Sequence, residues 1–196
     1  AEIIDQAAQR GIKIIVIDSD VNSSQVSCRI GTNNLQAGIK AAEAALATDD
    51  EELYIGIVNY DVNSANGQQR ELGFRQTVEQ DPRVKNITTI NVLSTTEDAR
   101  AGAKEMLLSD SRINVVVTFN EWTSLGVGWA IRDLNRADRI QVVAFDSNVV
   151  SVGMLETGEV DALIVQNPYA MGYLGVETAA NPVSYTHLTL PTILLV

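Results

Sequence analysis

A doubly wound α/β fold follows from three observations on this 196-residue sequence. Strand and helix patterns alternate along most of its length, the first strand segment carries the apolar, β-branched run Ile14-Ile-Val-Ile17, and polar residues collect immediately after the strands. Uniform hydrophobicity marks strands covered on both faces, and a β-then-α order brings such strands together in parallel through right-handed crossovers.

Taken in order, residues 1–9 read as an amphipathic helix with Ile3, Ile4, Ala7 and Ala8 on one face. The β-branched run 12–18 predicts a buried strand, and a second short strand at 26–31 leads into an alanine-rich helix over 34–48. A strand at 53–59 is followed by a polar Gly/Asn loop and a helix over 64–79. Next come a strand at 87–93, a helix at 96–108, a strand at 114–119 and a helix at 121–134. The series closes with a strand at 140–145, a helix at 149–156, a strand at 162–166 and a helix at 169–180.

Both ends depart from this regularity. The chain opens directly on a helix, without a starting methionine or a leader, so it is expected to begin within a domain. At the other end, Val183-Ser-Tyr-Thr-His-Leu-Thr-Leu-Pro-Thr192 reads as the in-frame translation of a transposase-type sequencing adapter. Residues 183–196 are therefore expected to be a non-native tail, the alternative being a genuine last strand. His187, the one histidine, falls within it.

Composition narrows the chemistry. A net charge of −11 with scattered Lys and Arg excludes a phosphate-binding face, and with it nucleic acid and an anionic membrane surface. No run approaches the roughly 18 consecutive apolar residues of a membrane helix, so no direct insertion of this segment is expected. Cys28 has no internal partner and reads as a small core residue. With no histidine before the tail, Ser-His-Asp and Cys-His arrangements and zinc sites are ruled out; neither a metal nor a cofactor is expected. Gly126-Val-Gly128 lies inside a helix pattern and lacks a third glycine, so it reads as helix packing and not as a dinucleotide fingerprint. Trp122 and Trp129 lie seven residues apart on one helix face, Trp129 reading as core and Trp122, just past a strand end, as able to stack on a pyranose ring.

In parallel sheets the ligand sits beyond the carboxyl ends of the strands. There the sequence places Asp18-Ser-Asp20, Thr32-Asn-Asn34, Asn59-Tyr-Asp61, Ser94-Thr95, Asn120-Glu-Trp122, Asp146-Ser-Asn148 and Gln166-Asn167. Neutral amides, hydroxyls and carboxylates dominate this set, which suits a polyhydroxyl ligand better than a phosphate. A paired-carboxylate enzyme using Asp18, Asp61 and Asp146 is the catalytic alternative, and the residues favour binding over catalysis.

Several runs carry a resemblance: Ile14-Ile-Val-Ile-Asp18, Ile30-Gly-Thr-Asn-Asn34 with Ala37-Gly38, Gln69-Arg-Glu-Leu-Gly-Phe74, and Thr118-Phe-Asn-Glu121 with Leu125-Gly126. Val142-Val-Ala-Phe-Asp146, Gly158-Glu-Val-Asp-Ala162 and the stretch from Val165-Gln-Asn-Pro168 to Met171-Gly172 complete the set. In this order, over roughly residues 1–181, the chain resembles ribose-type periplasmic sugar-binding proteins, the type I periplasmic-binding-protein fold.

The resemblance implies two lobes of doubly wound parallel sheet that close over a monosaccharide by a hinge, in a monomeric extracytoplasmic receptor serving an ABC importer's permease. It places 1–32 in a partial first lobe, 33–165 in the second lobe and 166–182 back in the first. The first lobe is thus incomplete, with an uncovered sheet edge. The implied locale is periplasmic, with or without a lipid anchor, and no enzyme activity is implied. Asp18 and Asp146 would accept from sugar hydroxyls, Arg70 would donate a charge-assisted fork, and Asn120 and Gln166 would supply amide contacts. On this reading Asp146→Ala and Arg70→Ala each weaken binding and leave folding intact. Ser19 departs from the family, which has an arginine there, so the hydroxyl pattern read at that edge is expected to differ. The other alternative is the effector-binding half of a lactose-repressor-type regulator, which shares the fold; the runs 158–162 and 166–173 resemble importer receptors instead.

Overall fold

A computed structural model describes residues 2–181 and 187–196. In chain order its elements are α1 (Glu2–Gln9), β1 (Ile14–Ile17), β2 (Val26–Thr32), α2 (Asn34–Leu46), β3 (Leu53–Tyr60), α3 (Ala65–Val78), β4 (Val84–Val92) and α4 (Thr96–Ser109). There follow β5 (Val115–Thr118), α5 (Glu121–Leu134), β6 (Gln141–Phe145), α6 (Val149–Thr157), β7 (Ala162–Val165), α7 (Pro168–Ala180), β8 (His187–Leu190) and β9 (Ile193–Leu195). The chain divides into two compact units, one of residues 1–33 and 166–192, the other of residues 34–165 and 193–196.

The larger unit holds a six-stranded sheet in the order β4-β3-β5-β6-β7-β9. Every neighbouring pair is parallel except β7 with β9. Its central strands are apolar on both faces because both are covered. Val115, Val117, Phe119, Val143 and Phe145 pack with Ala37, Ala41, Ala45, Phe74 and Val78 of α2 and α3. The alternate residues Val116, Val142 and Ala144 pack with Ala99, Ala103, Val127, Ile131 and Met154 of α4, α5 and α6. This is the doubly wound α/β arrangement expected from the apolar runs.

Two glycines set the spacing of α2 and α3. A β-carbon at Gly38 would lie 2.0 Å from the carbonyl oxygen of Arg70, and one at Gly73 would lie 2.1 Å from that of Leu35. The two helices therefore meet backbone to backbone, which no side-chain-bearing residue at either position permits. On the opposite face, Arg132 of α5 donates to Glu159, just after α6, at 2.6 Å. This hydrogen bond holds the Glu159 carboxyl below its ordinary range.

The smaller unit carries the sheet β1-β2-β8, all parallel, with Cys28, Ile30 and Met171 at the centre of its apolar cluster. Cys28 is buried, in keeping with its reading as a core residue. The first strand is shorter than the apolar run suggested: Ile12 is 55% exposed, and Asp18 leaves the strand with φ 64°. β4 instead starts three residues before the expected 87, because an edge strand accommodates exposed Lys85 and Asn86 that blur the apolar signal. Of the tail expected over 183–196, residues 183–186 lie outside the described residues, while His187 pairs with Arg29 and Ile193 with Val165.

Candidate functional site

The larger unit gathers its polar groups where β5 and β6 end. Asn120 follows β5 and is the N-cap of α5: its Oδ1 accepts from the Thr123 amide at 2.9 Å and from the Thr123 hydroxyl at 2.8 Å. Its Nδ2 donates to Ser94 Oγ at 2.7 Å, which ties the end of β5 to the loop after β4. Trp122, the second residue of the same helix, is 49% exposed.

Asp146 follows β6 in the left-handed region, φ 67°, where Asp and Asn are the side chains best tolerated. Its amide donates to Ile164 O at 2.9 Å, and its Oδ2 accepts from the Glu121 amide at 3.1 Å, the first N–H of α5. A helix N-terminus favours a carboxylate there. Glu121 in turn accepts from Asn148 Nδ2 at 2.6 Å, and Asn148 caps α6 through the amides of Val150 and Ser151. The two helices that start at this edge are thus joined through Asp146, Glu121 and Asn148.

Arg70, from α3, is 2% exposed. Nε donates to Asn34 Oδ1 at 2.8 Å, Nη1 donates to Phe119 O at 2.6 Å, and the guanidinium carbon stands 4.9 Å from the centre of the Phe145 ring. Phe74, Phe119 and Phe145 form an edge-to-face series beneath it. Such burial changes the expectation for this residue: removing the side chain would leave Asn34 Oδ1 and the Phe119 carbonyl without this donor, so a loss of stability is expected beside any loss of binding.

The smaller unit holds the other two expected residues. Asp18 is exposed, and Ser19 Oγ lies 3.5 Å from its Oδ2. Asp20, two residues on, is taken up by Arg29 at 2.7 Å. Gln166 accepts from the Thr32 hydroxyl at 2.6 Å, at the carboxyl end of β2. The structure therefore brings Arg70, Asn120, Trp122 and Asp146 into one unit and Asp18 and Gln166 into the other.

Two residues of this edge carry more than the sequence reading gave them. Ser124 Oγ lies 2.7 Å from Asn120 O and 2.8 Å from Phe145 O, and accepts from the Phe145 amide at 2.9 Å, so one hydroxyl fixes the ends of β5 and β6. Asn34 stood in the strand-end list without a role and proves to be Arg70's partner; its spacing of 36 residues from Arg70 gives no local signal. Among the described residues no group of three His, Cys, Asp or Glu is placed to hold a metal ion, and no helix is long and apolar enough to cross a membrane.

Comparison with known proteins bears on this geometry. A family model described as periplasmic binding protein domain matches residues 1–184. The chain is 20% identical over 182 residues to the D-allose-binding periplasmic protein of Escherichia coli, covering 89% of this chain and 58% of that protein. It is 25% identical over 180 residues to the ribose import binding protein of Haemophilus influenzae, covering 88% and 58%. The chain thus spans less than two thirds of the length of these relatives. Among solved structures, a carbohydrate transporter solute binding protein from Agrobacterium radiobacter in complex with D-arabinose superposes with a TM-score of 0.93 at 27% identity, covering 100% of this chain and 69% of that one.

Proposed function

The chain belongs to the periplasmic binding protein family, and from that premise we propose that it is a monosaccharide receptor that delivers its ligand to the permease of an ABC importer outside the cytoplasm, without catalysing a reaction. One observation carries the reading: a buried guanidinium, a cap amide and a left-handed carboxylate stand at the carboxyl ends of the adjacent parallel strands β5 and β6. Donors and an acceptor fixed by the backbone suit neutral hydroxyl groups, each of which both donates and accepts. Arg70, Asn120 and Asp146 are the proposed sugar contacts of the larger unit, with Trp122 offering an apolar ring face; Asp18 and Gln166 are the proposed ligand residues of the smaller unit.

Relatives named for D-allose and ribose, and a structure solved with D-arabinose, support the ligand class. Calorimetric titration with a panel of pentoses and hexoses tests it. Saturable heat with at least one aldose is the expected result; no heat and no thermal shift with any member would overturn the reading.

A further inference from the structure

Arg70 is the largest fully buried side chain of the described residues, and none of them gives it a carboxylate partner. A buried cation ordinarily draws a counter-charge, because taking a guanidinium out of water costs several kcal/mol even after relaxation. Here the compensation comes from neutral groups: the Asn34 amide oxygen, the Phe119 carbonyl and the face of Phe145. Nη2 has no hydrogen bond to a described residue.

Asn34 is itself 7% exposed, at the first position of α2. Its Oδ1 points to Arg70 and its Nδ2 donates to Asn66 Oδ1 at 3.2 Å, so the amide is pinned at both ends and its orientation is set. The backbone contact of Gly38 with Arg70 brings α2 close enough for this to happen. A carboxylate of the same size at position 34 would reach the same Nε and would cancel the charge.

We infer that Asn34 is the positioning residue of Arg70, a neutral acceptor that fixes the guanidinium plane while leaving its charge for the ligand. The inference rests on the sugar-receptor reading only for the last step, the use of that charge. The amide holds Nε, the Phe119 carbonyl holds Nη1, and the remaining edge of the fork is presented at full charge to an acceptor oxygen. Arginine serves here as a charged donor because its partners take up its geometry and not its charge.

Two measurements on the intact chain test this separately. In nitrogen-15 spectra without sugar, the Arg70 Nε–H should exchange slowly with solvent, and roughly tenfold or more faster in Asn34→Ala, as expected for loss of a charge-assisted hydrogen bond; unchanged exchange would overturn the positioning role. In titrations with D-allose, D-ribose and D-arabinose, Asn34→Asp should keep or raise the melting temperature yet lower affinity for the tightest of the three by roughly tenfold or more. In an Arg70→Lys background the same substitution should cost markedly less. Equal affinity of Asn34→Asp and wild type would overturn the use of the charge. If wild type binds none of the three while Nε–H exchange responds as described, the sugar reading fails and the positioning role stands.

Discussion

Asp18 and Asp146, from different units, share one local geometry: each directly follows a parallel strand, with φ 64° and 67°, and donates its amide at 2.9 Å to the isoleucine carbonyl opposite the preceding residue, Ile30 for Asp18 and Ile164 for Asp146. The strand's last ladder bond is therefore made by a residue whose chain has already turned, and the turn sends a short carboxylate beyond the sheet edge. Asparagine tolerates that conformation and alanine does not.

Asp146→Asn should accordingly preserve stability, since it retains an oxygen for the Glu121 amide, while lowering sugar affinity roughly tenfold or more through loss of the charged acceptor. Asp146→Ala should lose both, with about 1–3 kcal/mol of stability forfeited to the left-handed backbone and the unpaired amide. Urea denaturation and calorimetry on the two variants separate the effects, and an asparagine variant that binds like wild type would remove Asp146 from the site.

Arg70→Ala should destabilise the protein by about 3–5 kcal/mol, a combination of cavity and unpaired acceptors. Arg70→Met, which refills much of the volume, should recover part of that loss without restoring sugar affinity. A stability change under about 1 kcal/mol for the alanine variant, read from the urea midpoint, would mean that the guanidinium does not brace α2, α3 and β5 together.

Gly38→Ala should cost about 1–3 kcal/mol or more, because its methyl group would meet the Arg70 carbonyl at 2.0 Å and push α2 off α3. Gly153→Ala, in α6 with nothing within 4 Å, should be neutral or stabilising by up to about 1 kcal/mol. Thermal unfolding of the pair provides an internal control, since both replace a helical glycine with the same residue.

Glu159 supplies a pH dependence. Its hydrogen bond from Arg132 lowers the carboxyl pKa in the folded chain, so the stabilisation is fully present above the unfolded value of about 4.3 and is lost as pH falls through the lowered one. Glu159→Gln should be less stable than wild type by about 1 kcal/mol at pH 7 and should converge on it in acid. A difference that persists unchanged at low pH would show that packing, not charge, is what the substitution removes.

The fold was legible because its signal is local. Runs such as 115–117 and 142–144 are apolar at every position, which a two-sided parallel strand requires, and the polar residues that follow them mark the carboxyl edge, where parallel sheets as a class hold ligands. Asn120 and Asp146 could be located from that rule alone. Arg70 could be named but not understood, since its burial depends on Asn34 and Phe119, 36 and 49 residues away, and on glycines whose closeness no pattern announces. β4 was misplaced at its start because an edge strand lacks the two-sided pattern.

The cap at the start of α5 also fixes the direction in which the site speaks. Because both bonds to Thr123 fall on Asn120 Oδ1, that amide has only N–H to offer outward, so with Arg70 it forms a donor-only face beside the acceptor-only carboxylate of Asp146. A sugar hydroxyl facing the first two must accept through a lone pair, and one facing Asp146 must donate its O–H. Fluorinated sugars, which keep the lone pairs and lack the proton, should therefore be tolerated at the ring positions that meet Arg70 and Asn120 and rejected at the one that meets Asp146. A series of monofluoro analogues would convert the polarity of three side chains into the orientation of the bound ring.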